Sequence, residues 1–309
     1  VWDEDMGETW EVREIPEDMA EFSQEWRNLM IEKLADHDET LMEAYVEGKD
    51  IETAHLKEVI RKATNAIAIT PVLCGTAFKN KGVQPLLDAV IDYLPSPLDV
   101  PPIRGISSDK GEEIRNASDE EPFAALAFKV MTDPFVGKLT YFRVYSGVLR
   151  ADSTIYNSTR DSKEKLGNIF YLAGKKQVPV QKVGPGEIAA VAKLKDTLTG
   201  DTLTDSGNPI LFEPLKFSDP MISYAIAPKS RGDEDKVSIG IHRMLEEDPT
   251  LKFSRDAETK QMILSGMGQV HLEVAIERLK RKFGVEVLMK TPKIPYKETI
   301  MNKTEGQYK

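Results

Sequence analysis

At 309 residues, with 40% hydrophobic and 30% charged side chains, the chain is sized for two or three domains with adequate cores, which excludes a disordered protein. No run approaches eighteen apolar residues and the first residues carry no leader pattern, so neither a transmembrane helix nor a secretory signal is expected; the single cysteine, Cys74, cannot form an internal disulfide and suits a reducing cytoplasm. The net charge of −10 is uneven: residues 1–64 hold 19 acidic and 7 basic side chains, which leaves +2 for the rest, so basic faces remain open to the later domains.

Residues 1–14 place Trp2 and Trp10 among acids and read as a strand-like tail. Pro16 before Glu17 and Asp18 marks a helix start, since proline suits the first turn and acids suit its dipole. Phe22, Trp26, Leu29, Met30 and Leu34 recur at helical spacing and predict one buried stripe. Further helices are expected over 39–48, ending at Gly48, and over 51–65 through Leu56, Val59, Ile60 and Ala63. Their acids form either a solvated outer face or a surface for a basic partner.

The apolar run 67–73 contains Pro71 and predicts an edge strand or a broken one. A loop of small residues follows at 74–82. A helix then carries Val83, Leu86, Leu87, Val90, Ile91 and Leu94 and stops before Pro95 and Pro97. Strand, loop and helix make half of an α/β nucleotide unit. Gly75, Thr76 and Ala77 would let backbone N–H groups approach a ligand, and a tight turn explains them equally well. No GxxxxGK[ST] cradle occurs in the 309 residues.

Residues 98–119 are polar and rich in Gly and Pro, and read as an extended connector. Residues 120–217 hold short strand-like runs at 123–130, 139–146, 153–156, 165–172, 176–183, 187–194 and 201–204. The first two are joined by a loop built on Asp133, Pro134 and Gly137. Such spacing predicts a closed antiparallel barrel. Its cations Arg143, Arg150, Lys163, Lys165, Lys175 and Lys176 either bind phosphates or are solvated.

The clearest pattern lies at 218–295. Strand 221–227, helix 233–247, strands 252–255 and 259–265, a helix opened by Gly266-Met267-Gly268-Gln269, and strand 285–289 give βαββαβ, a ferredoxin-like order. The second helix buries Leu272, Ile276, Leu279 and Phe283 and ends at Gly284. Arg278, Lys280, Arg281 and Lys282 in its last turns either offset the helix dipole or contact RNA. His271 and Glu273, two residues apart, face different sides and cannot share a metal. His37, His55 and His242 join no cluster, and neither a Ser/His/Asp set nor zinc spacing occurs.

Four stretches are long and specific: CGTAFKNKGVQPLLDAVIDYLPSPLDVPP, DEEPFAALAFKVMTDPFVGKLTYFRVYSGVL, GEIAAVAKLKDTLTGDTL and SGMGQVHLEVAIERLKRKFGVEV. In this order, and over nearly the whole chain, they closely resemble bacterial elongation factor G. The resemblance implies a multidomain fold of α/β, β-barrel and α+β parts. Residues 1–97 would be the end of a P-loop-type GTPase domain with a remnant of its inserted subdomain, the region facing the ribosomal stalk protein. A linker at 98–119, the translation-factor barrel or domain II at 120–217, the ferredoxin-like domain III at 218–295, and a truncated lead-in to domain IV at 296–309 would follow.

The resemblance also implies function. The loop Cys74, Gly75, Thr76, Ala77 and Phe78 matches the family's fifth guanine-nucleotide motif, whose backbone N–H groups read the guanine carbonyl; Thr76 replaces the usual Ser. The P-loop, switches and Asn-Lys-x-Asp motif have no match and would precede Val1. GTP or GDP with Mg²⁺ is therefore expected for the parent protein, and no cofactor and no catalytic residue for this stretch, which is expected to be inactive alone. The expected setting is a cytoplasmic monomer whose partners are ribosomal RNA and ribosomal proteins, without membrane or DNA. Arg143, Lys175, Lys176, Arg278, Lys280, Arg281 and Lys282 are the candidate RNA contacts. The parent would drive translocation of tRNA and mRNA. The family's Gly-Met-Gly-Glu-Leu-His-Leu reads here with Gln269 for Glu and Val270 for Leu. That leaves open a paralogue acting in ribosome recycling or ribosomal protection. A free-standing ribosome-binding module without GTPase activity is the other alternative.

Overall fold

The computed structural model describes residues 1–309 apart from 3–5, 108, 110, 134–136, 175, 231, 300, 303 and 309. The chain divides into two units, 1–101 and 102–309.

The first unit is helical: α1 (Glu17–Ala35), α2 (Glu39–Val46), α3 (Thr53–Asn65) and α4 (Val83–Tyr93). Helix α1 begins directly after Pro16, and Asp38 caps α2 by accepting the Leu41 N–H at 3.0 Å. The core joins Ile31, Leu34, Leu41, Leu56 and Val59. The stripe expected to be buried on α1 is not: Phe22 is 57% and Trp26 58% exposed, and Leu29 and Met30 are exposed too. The reason is length. Nineteen residues run about 28 Å, and α1 buries only Ile31, Leu34 and Ala35 near its C-terminal end. The strand expected at 67–73 is also absent. A strand is stabilised by a neighbour's ladder, and this unit has no named strand among its described residues. Helix α4 forms as expected and is tied to α3 by Arg61, which donates to the carbonyls of Ile91 and Asp92 and to Asp99.

The second unit opens with β1 (Ile103–Ser107) and β2 (Gly111–Arg115), a hairpin where the sequence suggested an extended connector. Then come β3 (Ala124–Asp133), β4 (Gly137–Ser146), β5 (Leu149–Arg150), β6 (Thr154–Asn157), β7 (Ser162–Lys165), β8 (Ile169–Ala173), β9 (Lys176–Val180), β10 (Lys182–Val183), β11 (Ile188–Ala192), β12 (Thr202–Thr204) and β13 (Leu211–Phe212). Residues 134–136 of the expected β3–β4 loop lie outside the described residues. The antiparallel order is β7-β6-β12-β3-β4-β11-β8-β9, with β5 and β10 paired separately. Phe142, Val144, Leu149, Ile155, Ile169, Val183, Val191 and Leu203 share one core, so the sheet is rolled into a barrel closed by packing rather than by a continuous ladder. The hairpin adds β13 as a third strand. Ile103, Ile210 and Phe212 cover Leu126 and Tyr145 on the barrel's outer side. Gly105 is required there, since a Cβ would meet Ile210 at 2.6 Å.

A buried polar set explains the DTLTGDTL stretch. Asp201 accepts from Asn157 Nδ2 at 2.9 Å, from Arg160 Nε at 2.6 Å and from the Leu198 N–H at 2.9 Å. Glu164 accepts the Thr197 N–H at 2.9 Å. These bonds tie the 195–201 turn to β6 and β7, and satisfy charges that burial would otherwise penalise.

The rest is β14 (Ile222–Pro228), α5 (Glu234–Glu247), β15 (Lys252–Arg255), β16 (Met262–Gly266), α6 (Gln269–Phe283) and β17 (Val287–Lys290), with sheet order β15-β16-β14-β17. This is the expected ferredoxin-like βαββαβ fold. Gly284 ends α6 in the left-handed region at φ +68°. The two helices close on Gly240, where a Cβ would lie 2.5 Å from Leu279.

Candidate functional site

The loop expected to read guanine is a closed turn. Thr76 N–H donates to Lys81 O at 2.8 Å and Lys81 N–H returns to Thr76 O at 3.1 Å. A 3-10 turn, Ala77–Lys79, lies between them. The loop ends meet only because they are glycines: at Gly82 (φ +83°) a Cβ would lie 2.9 Å from Cys74 O, and at Gly75 3.0 Å from Lys81 O. Gly7 covers the far side against the carbonyls of Lys79 and Asn80, and Trp2 Nε1–H donates to Gln84 at 3.0 Å. Of the strand-like tail expected at 1–14, Trp2 and Trp10 pair as an isolated antiparallel bridge, and residues 3–5 lie outside the described residues. The N–H groups of Ala77 and Phe78, at the open end of the 3-10 turn, have no backbone partner among the described residues. A cavity of about 190 Å³ borders Cys74, Gly75, Thr76 and Ala77, and the Phe78 ring is 90% exposed.

The candidate RNA cations do not form one patch. Arg143 is half-buried on β4, its guanidinium 5.3 Å from the Tyr145 ring centroid, and Tyr145 packs edge-on against Phe212 of the covering strand. Lys176 is exposed on β9, and Lys175 lies outside the described residues. On α6, Lys280 pairs with Glu286 at 2.8 Å. With Lys229 it holds the Glu286 carboxyl down at about 2, through hydrogen bonds first and charge second. Arg278 borders a small cavity beside His271. Arg281 faces a larger cleft.

Lys282 does something the sequence reading missed. Its ammonium donates to both carboxylate oxygens of Glu247, at 2.8 and 3.0 Å. The same carboxylate, on a residue only 7% exposed, accepts the Thr132 N–H of β3 at 2.8 Å. Lys129 Nζ donates to the Glu247 carbonyl at 3.2 Å, and Lys138 pairs with Glu246 at 3.4 Å. Barrel and βαββαβ domain are therefore clasped at the end of β3–β4 where Thr132 pairs with Lys138. The signal was in the sequence: Glu247 continues the stripe Val237, Ile241 and Met244, so an acid sat in the buried register.

His271 is a structural clasp. Its Nδ1 accepts the Met267 N–H at 3.1 Å, which leaves Nε2–H to donate to Asp248 at 2.9 Å. Burial pushes the Asp248 carboxyl up, but bonds from Thr250 and His271 outweigh it and the net direction is down. Among the described residues, no group of His, Cys, Asp and Glu could hold a metal ion, and no helix is long and apolar enough to cross a membrane.

Two family models match in chain order: Elongation factor G domain 2 over residues 122–206 and Elongation Factor G, domain III over 217–291. A barrel and a βαββαβ domain of these types are domains of a translation elongation factor family. A crystal structure of a Thermus thermophilus protein superposes with a TM-score of 0.73 at 30% identity, covering 92% of this chain and 40% of that one. The chain belongs to the elongation factor G family.

Proposed function

We propose that this chain acts within a cytoplasmic translational GTPase that promotes translocation of tRNA and mRNA on the ribosome. The observation that carries the reading is the clasped pair of a barrel and a βαββαβ domain, in this family's order. Ribosomal RNA and ribosomal proteins are the partners, met by the outer faces of both domains.

GTP or GDP with Mg²⁺ is the nucleotide of the longer protein, where hydrolysis supplies the free energy that switches such a factor between states. The 74–82 turn fits the base. The N–H groups of Ala77 and Phe78 would face the guanine edge, and the small residues leave room. With no P-loop in the 309 residues, the phosphates have no seat here, and the stretch neither binds nucleotide tightly nor hydrolyses it. Micromolar or tighter binding of a fluorescent guanine nucleotide would refute that part.

The ribosome reading is tested by sedimentation. The chain is expected to pellet with ribosomes at low salt and to be released at high salt. Failure to pellet at any salt overturns it. Gln269, in place of the family's Glu, favours a second reading as a paralogue in recycling or protection. That reading expects pelleting with post-termination ribosomes and not with pre-translocation complexes.

A further inference from the structure

We propose that the cleft between the β3–β4 end and helices α5 and α6 is a seat for an RNA backbone, with Arg243 and Arg281 as its phosphate-binding cations. The inference deepens the ribosome-binding reading and rests on it. The cleft measures about 860 Å³, and the charged and aromatic side chains around it are Lys138, Arg243, Glu246, Arg281, Lys282 and Phe283.

Pairing removes two of the four cations. Lys138 is held by Glu246, and Lys282 by Glu247. Arg243 and Arg281 are exposed and have no ion pair among the described residues. Arg243 lies with its guanidinium 5.9 Å from the Phe283 ring centroid, so the aromatic face orients it at the cleft wall. Both are arginines, whose planar fork matches phosphate oxygens in pairs where a lysine offers a point charge.

The cleft's helical walls are the last turns of α5 and α6. Helix C-termini carry partial negative charge, which opposes a lone phosphate. A polyanion that reaches both arginines at once overcomes that opposition, and it gains most because the clasp through Glu247 holds the two walls at fixed spacing. An RNA strand of an elongation factor's ribosome has this chemistry. Among the described residues of the cleft, a free nucleotide finds no backbone cradle or helix N-terminus to hold its phosphates.

The test uses the full chain and a fluorescently labelled RNA hairpin, followed by anisotropy across a salt series. Arg243→Ala with Arg281→Ala is expected to weaken binding by about tenfold or more, and to lower the slope of log affinity against log salt by about 2. Lysine at both positions should restore the slope but only part of the affinity. Lys252→Ala, whose cation is spent on Asp219 outside the cleft, should leave binding unchanged. Thermal melts identify a purely structural role: lost stability with unchanged RNA affinity overturns the proposal. So does displacement of the RNA by inorganic phosphate at matched phosphate concentration. Ribosome sedimentation separates the two readings. If the double variant binds RNA and pellets like the wild type, the seat is wrong and the factor reading stands. If the wild type neither binds RNA nor pellets, both fall.

Discussion

Helix α1 spaces Phe22, Trp26, Leu29 and Leu34 much as α6 spaces Leu272, Ile276, Leu279 and Phe283. Yet Phe22 and Trp26 stand in solvent, while Leu272 and Leu279 are sealed. Helix α6 meets α5 and a four-stranded sheet. Helix α1 meets α2 and α3 only near its C-terminal end. Periodicity specifies a helix and names the face that would be buried. Burial itself depends on an opposing layer of equal length, which is a property of the rest of the fold.

Breaking the sealed helix should have the largest effect. Leu272→Ala is expected to destabilise the βαββαβ domain by about 2–5 kcal/mol, read as faster hydrogen exchange along α6. Next comes the clasp. Glu247→Gln removes the charge that holds Lys282 and weakens the acceptor for Thr132 N–H, at a cost of about 1–3 kcal/mol. Exchange at the Thr132 amide reports it, and unchanged protection there would dissolve the two-domain body.

A third expectation sharpens the comparison, because each region holds one carboxylate down at about 2. Bonds from the Ser96 hydroxyl and N–H, then Arg61, bring Asp99 to about 2; Lys229 and Lys280 do the same to Glu286. A depressed carboxyl pKa contributes stability that is fully present above the ordinary carboxylate range and is lost as pH falls towards about 2. Carboxyl NMR titrations should find both still ionised at a pH where free carboxylates are half protonated, with Lys229→Ala raising only Glu286. The smallest effect belongs to the exposed stripe. Phe22→Ala should shift the first unit by under ~0.5 kcal/mol. Tryptophan emission follows it, since all three tryptophans lie within residues 1–26; a larger shift would mean that the stripe is packed after all.

The βαββαβ domain was legible because its signals are local: alternation in strands, spacing in helices, Gly284 as a stop. The β1–β2 hairpin was hidden because Gly105 and Gly111 resemble linker punctuation, and its third strand lies about a hundred residues away. The run 67–73 had strand composition and found no ladder. Among the site residues, the small side chains of the 74–82 turn were visible, whereas the fates of Lys280 and Lys282 depended on Glu286 and Glu247, which no spacing rule connects to them. Arg243 was overlooked because a single arginine on a helix face looks solvated until Phe283 and the cleft are in place.

The pairing of Gly105 with Phe212 has a consequence for the timing of synthesis. At roughly 5–20 residues per second, the hairpin emerges on the order of ten seconds before the strand that completes its sheet. Through that interval Ile103 has no Ile210 or Phe212 to pack against. A nascent chain paused short of residue 210 should therefore be sensitive to protease between 103 and 115, and become protected once β13 has left the tunnel.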